Sequence, residues 1–202
     1  MLEAPYYKKV ENIISPDFTE FLYSYLWDLS KHSTLQLGEL NVELDQDEKP
    51  MNIFEWYGDF AYDVLLRRLH KRMEEETGVS LIPTYSFCRL YGNNAILYPH
   101  TDRPSCEYSM SLKLGDNGKG NWPLVMEGTE VYLNPGDAVV YKGCELEHWR
   151  DRCTIKGYKS GHVFLHYVEA DGEYASFAYD RNEYRKQLFN VTLEEIVGEW
   201  NL

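Results

Sequence analysis

The chain predicts a mainly β fold with flanking helices, an α+β arrangement around a double-sheet jelly roll. Three observations carry that expectation. From Gly78 onward the sequence breaks into short, alternating runs rich in tyrosine and valine, separated by turn residues; this is the signature of antiparallel strands. The first third instead repeats apolar residues at intervals of three and four, which is helical spacing. No internal repeat, low-complexity tract or Gly/Ser linker divides the 202 residues, so a single domain is expected over 1–202. Its parts are a helical buttress at about 15–78, the jelly-roll core at about 80–170 and a C-terminal extension at 171–202.

In chain order, Ser15-Pro16-Asp17 reads as a helix start, with a capping hydroxyl, a proline at the first helical position and an acid at the positive end of the helix dipole. Phe18, Phe21, Leu22, Tyr25 and Leu26 form its apolar stripe. The acidic stretch 41–50 is expected to be a loop. A second helix is expected over 55–76, with Tyr62, Leu65, Leu66, Leu69 and Met73 on its apolar face, His70 on its wet face and Gly78 as terminator. Strands are expected within 84–91, 95–100, 106–114, 122–126, 129–133, 138–143 and 161–169. The turns between them lie at Asp116-Asn117-Gly118, Glu127-Gly128 and Asn134-Pro135-Gly136-Asp137. A short helix capped by Thr192 is expected near the C-terminus.

Charge narrows the partners. With 33 acidic and 20 basic residues the net charge is -13, which disfavours a nucleic-acid partner or an anionic membrane surface. The four cysteines contain no CxxC pair, so neither a zinc cluster nor a redox dithiol is expected, and Cys88 and Cys106 read as buried thiols. The start lacks the apolar stretch of a signal peptide, and no run approaches a membrane span. An intracellular, cytoplasmic location is the expectation.

His100 and Asp102 stand two apart at the end of an apolar run. Alternation in an extended segment sends both side chains to one face. Alone the pair is a weak signal. His148, following the Asn134–Asp137 turn and a further strand, supplies a third donor, and two imidazoles with one carboxylate make the facial triad used by non-haem Fe(II) oxygenases. Arg103, directly behind Asp102, is a candidate substrate contact or a rim brace. Arg150, two beyond His148, shares its face and is a candidate to support the ligand or meet an acidic group. His162 and His166, four apart, share another face. Trp122 and Trp149 read as packing.

The segments RLYGNNAILYPHTD, LNPGDAVVYKGCELEHWRD and KGYKSGHVFLHYVE together resemble the Fe(II)/2-oxoglutarate-dependent dioxygenase superfamily, particularly its prolyl-4-hydroxylase-like branch. The resemblance covers about residues 80–170, with Tyr91, Gly92, Gly136, Asp137 and Gly143 as further landmarks. It implies a double-stranded β-helix, His100, Asp102 and His148 as iron ligands, and Fe(II), 2-oxoglutarate and O2 as cofactors of a hydroxylase. It also implies a basic residue, about ten positions past the distal histidine, for the far carboxylate of 2-oxoglutarate. Lys159 is the nearest match, with Lys156, His162 and Arg150 as alternatives and Tyr91 and Tyr98 as supporting phenols. A free small molecule, an amino acid or a prolyl residue would be the substrate. Two other readings stand beside it: a cupin-like metalloenzyme without 2-oxoglutarate, whose usual close HxH pair is absent from the sequence, and a non-catalytic jelly-roll binding module.

Overall fold

A computed structural model describes residues 6–37 and 53–190. Within them the strands are β1 (Tyr7–Val10), β2 (Ile53–Tyr57), β3 (Leu81–Gly92), β4 (Leu97–His100), β5 (Tyr108–Asp116), β6 (Leu124–Met126), β7 (Thr129–Val131), β8 (Ala138–Lys142), β9 (His148–Arg150) and β10 (Lys159–Glu169). The helices are α1 (Pro16–Leu37), α2 (Phe60–Arg68), α3 (His70–Thr77) and α4 (Glu183–Asn190). Two antiparallel sheets result: a six-stranded one in the order β1-β8-β5-β10-β3-β2 and a four-stranded one in the order β4-β9-β6-β7. The mainly β reading with flanking helices holds. No helix of the described residues is long and apolar enough to cross a membrane.

The larger sheet is buried on both sides, and its alternating strands bury polar residues such as Ser86, Ser109, Ser111 and His162 as well as apolar ones. One face carries Cys88, Leu90, Met110, Leu112, Leu114, Val163 and Leu165 against Leu22, Leu26, Tyr62, Leu65, Leu66 and Met73 of the helices. Tyr23 of α1 lies where Cβ atoms on Gly115 and Gly161 would sit, 2.6 and 2.8 Å away, so the two glycines let α1 approach the sheet. The other face meets the smaller sheet through Val139, Tyr141, Leu124, Met126, Val131 and Leu146. Truncating a fully buried leucine in either layer, such as Leu112, would cost about 2–5 kcal/mol.

Ser15 starts α1 as expected, its Oγ accepting from the Phe18 N–H at 3.4 Å. The apolar stripe is displaced, however: Leu22 and Leu26 are buried, whereas Phe18 and Phe21 are exposed and stacked on one another. The helix expected over 55–76 is instead β2 followed by α2 and α3. The Asp59 carboxylate caps α2 by accepting from the Ala61 and Tyr62 N–H groups, which stops the helix from extending backward. The residues before it pair with β3 from Phe87 to Tyr91. His70 is no free surface residue. Its Nε2 lies 2.7 Å from the Leu81 carbonyl and its ring stacks on Tyr167.

Each of the seven expected strand segments contains a strand, and β1, β2 and β9 are additional. The Asn134–Asp137 turn forms, with Asp137 accepting from the Asn134 and Asn12 N–H groups and paired with Lys9. All four cysteines are free, and Cys88, Cys106 and Cys153 are buried. The loop at 41–50 and the helix near Thr192 lie outside the described residues.

Candidate metal centre and its cavity

His100 ends β4 and His148 begins β9, and the two are direct cross-strand partners. Opposed residues in an antiparallel pair hold their Cβ atoms about 5 Å apart, and here the imidazole centroids are 4.4 Å apart. Asp102 is not part of a strand. Its N–H donates to the Gly143 carbonyl at 2.8 Å, and this bond, rather than continued strand alternation, turns the carboxylate toward the histidines. Oδ1 of Asp102 lies 3.6 Å from Nε2 of both His100 and His148. A side chain at Gly143 would put its Cβ 2.4 Å from Asp102 Oδ2 and 2.3 Å from the Cys106 carbonyl. Glycine is therefore a steric requirement of the carboxylate's position.

Each histidine is oriented from behind by main chain. Nδ1 of His100 is 2.7 Å from the Tyr98 carbonyl, and Nδ1 of His148 is 3.0 Å from the Leu146 carbonyl. A carbonyl only accepts, so Nδ1 carries the proton and the Nε2 lone pair faces Asp102 in both rings. Burial, helped by His100 and Arg150, lowers the His148 pKa against the pull of Asp102 and the Leu146 carbonyl, keeping it in the neutral form a metal requires. One ligand atom from each of His100, Asp102 and His148 fits within a 4.8 Å span, so the three are able to share one divalent ion. Asp102 also falls into a second such group with Cys106 and His166, and burial pushes His166 down to about 4.

The triad opens onto a cavity of about 300 Å³ between the sheets. Tyr85, Phe87, Arg89 and Tyr91 of β3 line it, with Phe164 and His166 of β10, Tyr141 of β8 and Arg103 at the rim. The alternation of β10 decides which cations reach this interior. Phe164 and His166 face in, with Ser160 and His162 in the same phase. Lys159 has the opposite phase, and its Nζ lies over the Trp27 ring of α1. The residue nearest the expected cosubstrate position is thus on the helix side of the sheet. Tyr98 contributes its carbonyl to His100, and its ring is not among those lining the cavity.

Beside Arg89, which lines the cavity, and the buried Lys113, a further interior cation is Arg150. It is 1% exposed, lies over the Tyr91 and Trp122 rings and donates from Nη1 to the Trp122 carbonyl at 2.9 Å. Nη2 faces His162 Nδ1 at 3.5 Å while His162 Nε2 meets Ser160 Oγ at 3.0 Å. The guanidinium has only donors, so His162 accepts at Nδ1 and is protonated at Nε2. Burial, then Arg150 and Lys113, hold His162 well below its usual pKa. No carboxylate among the described residues forms an ion pair with Arg150, whereas Arg89 pairs with Glu55 at 2.7 Å and Arg103 with Asp180 at 3.0 Å. Burial lowers the Arg150 pKa.

Three buried polar atoms among the described residues lack a hydrogen-bond partner: Arg150 Nε, Tyr91 Oη and Ser111 Oγ. Buried polar groups are nearly always satisfied. An uncompensated guanidinium beside an orphaned phenol leaves room, chemically, for an anion. The sequence sets Arg150 on the His148 face, but the phase of β10, which takes Lys159 to the helix side, is not legible in it. Tyr141, whose ring stands edge-on to His148 at 4.9 Å, and Asp180 at the mouth carried no sequence signal.

No family model and no curated protein sequence matches the chain. Solved structures do. The chain is similar to the non-heme alpha ketoglutarate dependent epimerase SnoN from nogalamycin biosynthesis, with 13% identity, a TM-score of 0.61 and coverage of 81% of this chain and 78% of that one. It is similar to EctD from S. alaskensis with bound Fe (18%, 0.59, covering 81% and 73%). It is also similar to a Pseudomonas putida prolyl-4-hydroxylase (16%, 0.56, covering 80% and 92%). SnoN has been crystallised with Fe3+ and alpha ketoglutarate, and EctD with 2-oxoglutarate and 5-hydroxyectoine. At these identities the likeness establishes a shared fold, the one used by these iron and 2-oxoglutarate proteins.

Proposed function

We propose that the protein is an Fe(II)- and 2-oxoglutarate-dependent oxygenase of the prolyl-4-hydroxylase-like branch, with a double-stranded β-helix core, that hydroxylates a small molecule, an amino acid or a prolyl residue. The observation that carries this reading is that two features adjoin one cavity, the triad opening onto it and Arg150 lying against Tyr91 of its lining. His100, Asp102 and His148 converge with both Nε2 atoms free to bind, and a buried, uncompensated Arg150 lies two residues beyond His148. In a strand that spacing is about 6.6 Å, a separation that a five-carbon diacid chelated at the triad is able to bridge.

In this reading His100, Asp102 and His148 hold the iron, which when bound with 2-oxoglutarate and O2 supplies the oxidising chemistry. The chain's own groups bind, orient and exclude. The Tyr98 and Leu146 carbonyls hold the Nδ1 protons and so fix both imidazoles as Nε2 ligands. Ser109 Oγ and the Gly143 main chain restrain the Asp102 carboxylate. Arg150 and Tyr91 bind the far carboxylate of 2-oxoglutarate, satisfying the orphaned Nε and phenol with a charge-assisted contact. Phe87, Leu124, Tyr141 and Phe164 wall the cavity with apolar surface and keep water from the reacting atoms. No side chain is required as a nucleophile or general base.

Epimerase and carbocyclase structures share this fold, so hydroxylation is proposed as the outcome and the first test reads the oxidant. The test is Fe(II)-dependent conversion of 2-oxoglutarate to succinate by the purified protein under O2. The reading expects turnover that His148→Ala abolishes. Metal-independent conversion, or none in folded protein screened with candidate acids, amino acids and prolyl peptides, would count against it.

A further inference from the structure

At the mouth of the cavity a carboxylate from the chain itself occupies a cage of donors. Arg103 donates from Nη1 to Asp180 Oδ1 at 3.0 Å and from Nη2 to Oδ2 at 3.1 Å. Ser105 Oγ donates to Oδ1 at 2.7 Å and the Tyr57 phenol to Oδ2. Arg185 in turn donates to the Tyr57 oxygen at 3.1 Å, and the Arg103 guanidinium lies 4.6 Å over the Tyr85 ring. A planar fork with two further hydroxyl donors is a geometry suited to a carboxylate. Arg103 and Tyr85 also line the cavity, and Arg103 directly follows Asp102.

The way Asp180 is delivered sets it apart from an ordinary structural ion pair. Tyr179, Asp180 and Arg181 have φ of 56, 51 and 56°, three successive left-handed residues without a glycine, a conformation that L side chains adopt rarely and almost never in series. No residue of the segment Ala175–Arg181 is buried. Beyond it, α4 has an anchor of its own in the buried pair of Arg185 and Asp63 at 3.1 Å, with Asp63 also accepting from the Ser86 N–H and hydroxyl, while Tyr179 of the turn stacks on Phe189 of the same helix. Withdrawal of Asp180 therefore leaves α4 anchored and relaxes a strained turn.

We propose that Arg103, Ser105 and Tyr57 form the receptor for a free carboxylate of the substrate, and that Asp180 is an internal stand-in which that carboxylate displaces. The word substrate rests on the oxygenase reading; the exchange of one carboxylate for another does not. Charge fixes the class. A ligand carboxylate keeps Arg103 paired when Asp180 leaves, whereas a neutral group would leave the guanidinium without its counter-charge, and sites built for a charged partner reject analogues that lack it. A small carboxylic acid of amino-acid type fits, and an internal peptide residue without an acidic side chain, such as proline, does not.

The test uses the full-length, metal-free protein and the probe N-acetyl-L-alanine, with N-acetyl-L-alaninamide as its uncharged counterpart, followed by ligand-observed NMR titration. An internal competitor reduces apparent affinity by the fraction of time the cage is open, so Asp180→Ala should bind the acid about tenfold tighter than wild type. The isosteric Asp180→Asn should show a smaller gain, and adding Arg103→Met to Asp180→Ala should remove it. In wild type, saturating acid should speed amide exchange across 175–181 more than across 183–190. Equal affinity in wild type and both Asp180 variants, a gain that survives loss of Arg103, or equal binding of the amide would overturn the proposal. Turnover is not read, so an enzyme that fails the succinate assay does not alter this outcome.

Discussion

Arg150→Met separates binding from folding because the account gives the two effects different signs. In the ligand-free protein Arg150 has one strong hydrogen bond, to the Trp122 carbonyl, and two ring faces. Losing them costs about 1 kcal/mol for the bond and ~0.5–1 kcal/mol for each ring. Against this, removing a buried charge that has no counter-ion relieves several kcal/mol of desolvation. Methionine fills much of the same volume, so ligand-free stability should hold or rise. Binding of 2-oxoglutarate should fall sharply. Removing one partner of a buried, hydrogen-bonded charge pair costs about 2–5 kcal/mol, and with Tyr91 still present the lower end applies, about 30- to 150-fold in the dissociation constant at 2–3 kcal/mol. Calorimetric titration of 2-oxoglutarate into Mn(II)-loaded protein reads the first effect and thermal unfolding the second. An affinity change under threefold, or a parallel loss of Mn(II) binding, would refute the assignment of Arg150 to the far carboxylate.

Three further outcomes follow from the geometry. Mn(II) at a hundredfold excess over its dissociation constant should stabilise the fold by about 2.7 kcal/mol, seen as a rise in Tm that a chelator reverses and that Asp102→Ala lacks. Gly143→Ala, whose Cβ would meet Asp102 and the Cys106 carbonyl at 2.4 and 2.3 Å, should destabilise by ~1–3 kcal/mol and weaken Mn(II) binding; unchanged metal affinity would show that the carboxylate is not held by that contact. Burial would raise the Asp137 pKa, but the Asn134 and Asn12 N–H groups and Lys9 outweigh it and hold the group below its ordinary value. Its contribution is therefore present above the unfolded pKa of about 3.9 and is lost as pH falls through the lower folded value. Asp137→Asn should lower Tm at neutral pH and reduce its drop as pH falls below about 5.

What was legible in the sequence depended on how local the determinant was. His100 and Asp102 are two residues apart, and the turn and strand ahead of His148 mark its position, so the triad could be assembled from spacing. Strand alternation was only part of the reason, since Asp102 lies beyond β4 and is turned by Gly143. Lys159 was misleading because its side depends on the phase of β10, and that phase is set by Gly161 beneath α1, a contact between segments more than a hundred residues apart. The β2 strand was hidden inside an apparent helical run because its pairing with β3 and the Asp59 cap, rather than periodicity, decide where helix begins. His70 looked like a surface residue because its partners, Leu81 and Tyr167, come from other elements. Asp180 was invisible in the same way: its meeting with Arg103 crosses 77 positions.

The central claim is that the triad and Arg150 together bind iron and 2-oxoglutarate as one unit. Anaerobic titration of 2-oxoglutarate into the protein with and without Fe(II) tests it most directly. The account predicts binding at least about tenfold tighter when Fe(II) is present, with the metal dependence abolished in Asp102→Ala. Binding indifferent to Fe(II), or no binding by folded, Fe(II)-loaded protein, would contradict it.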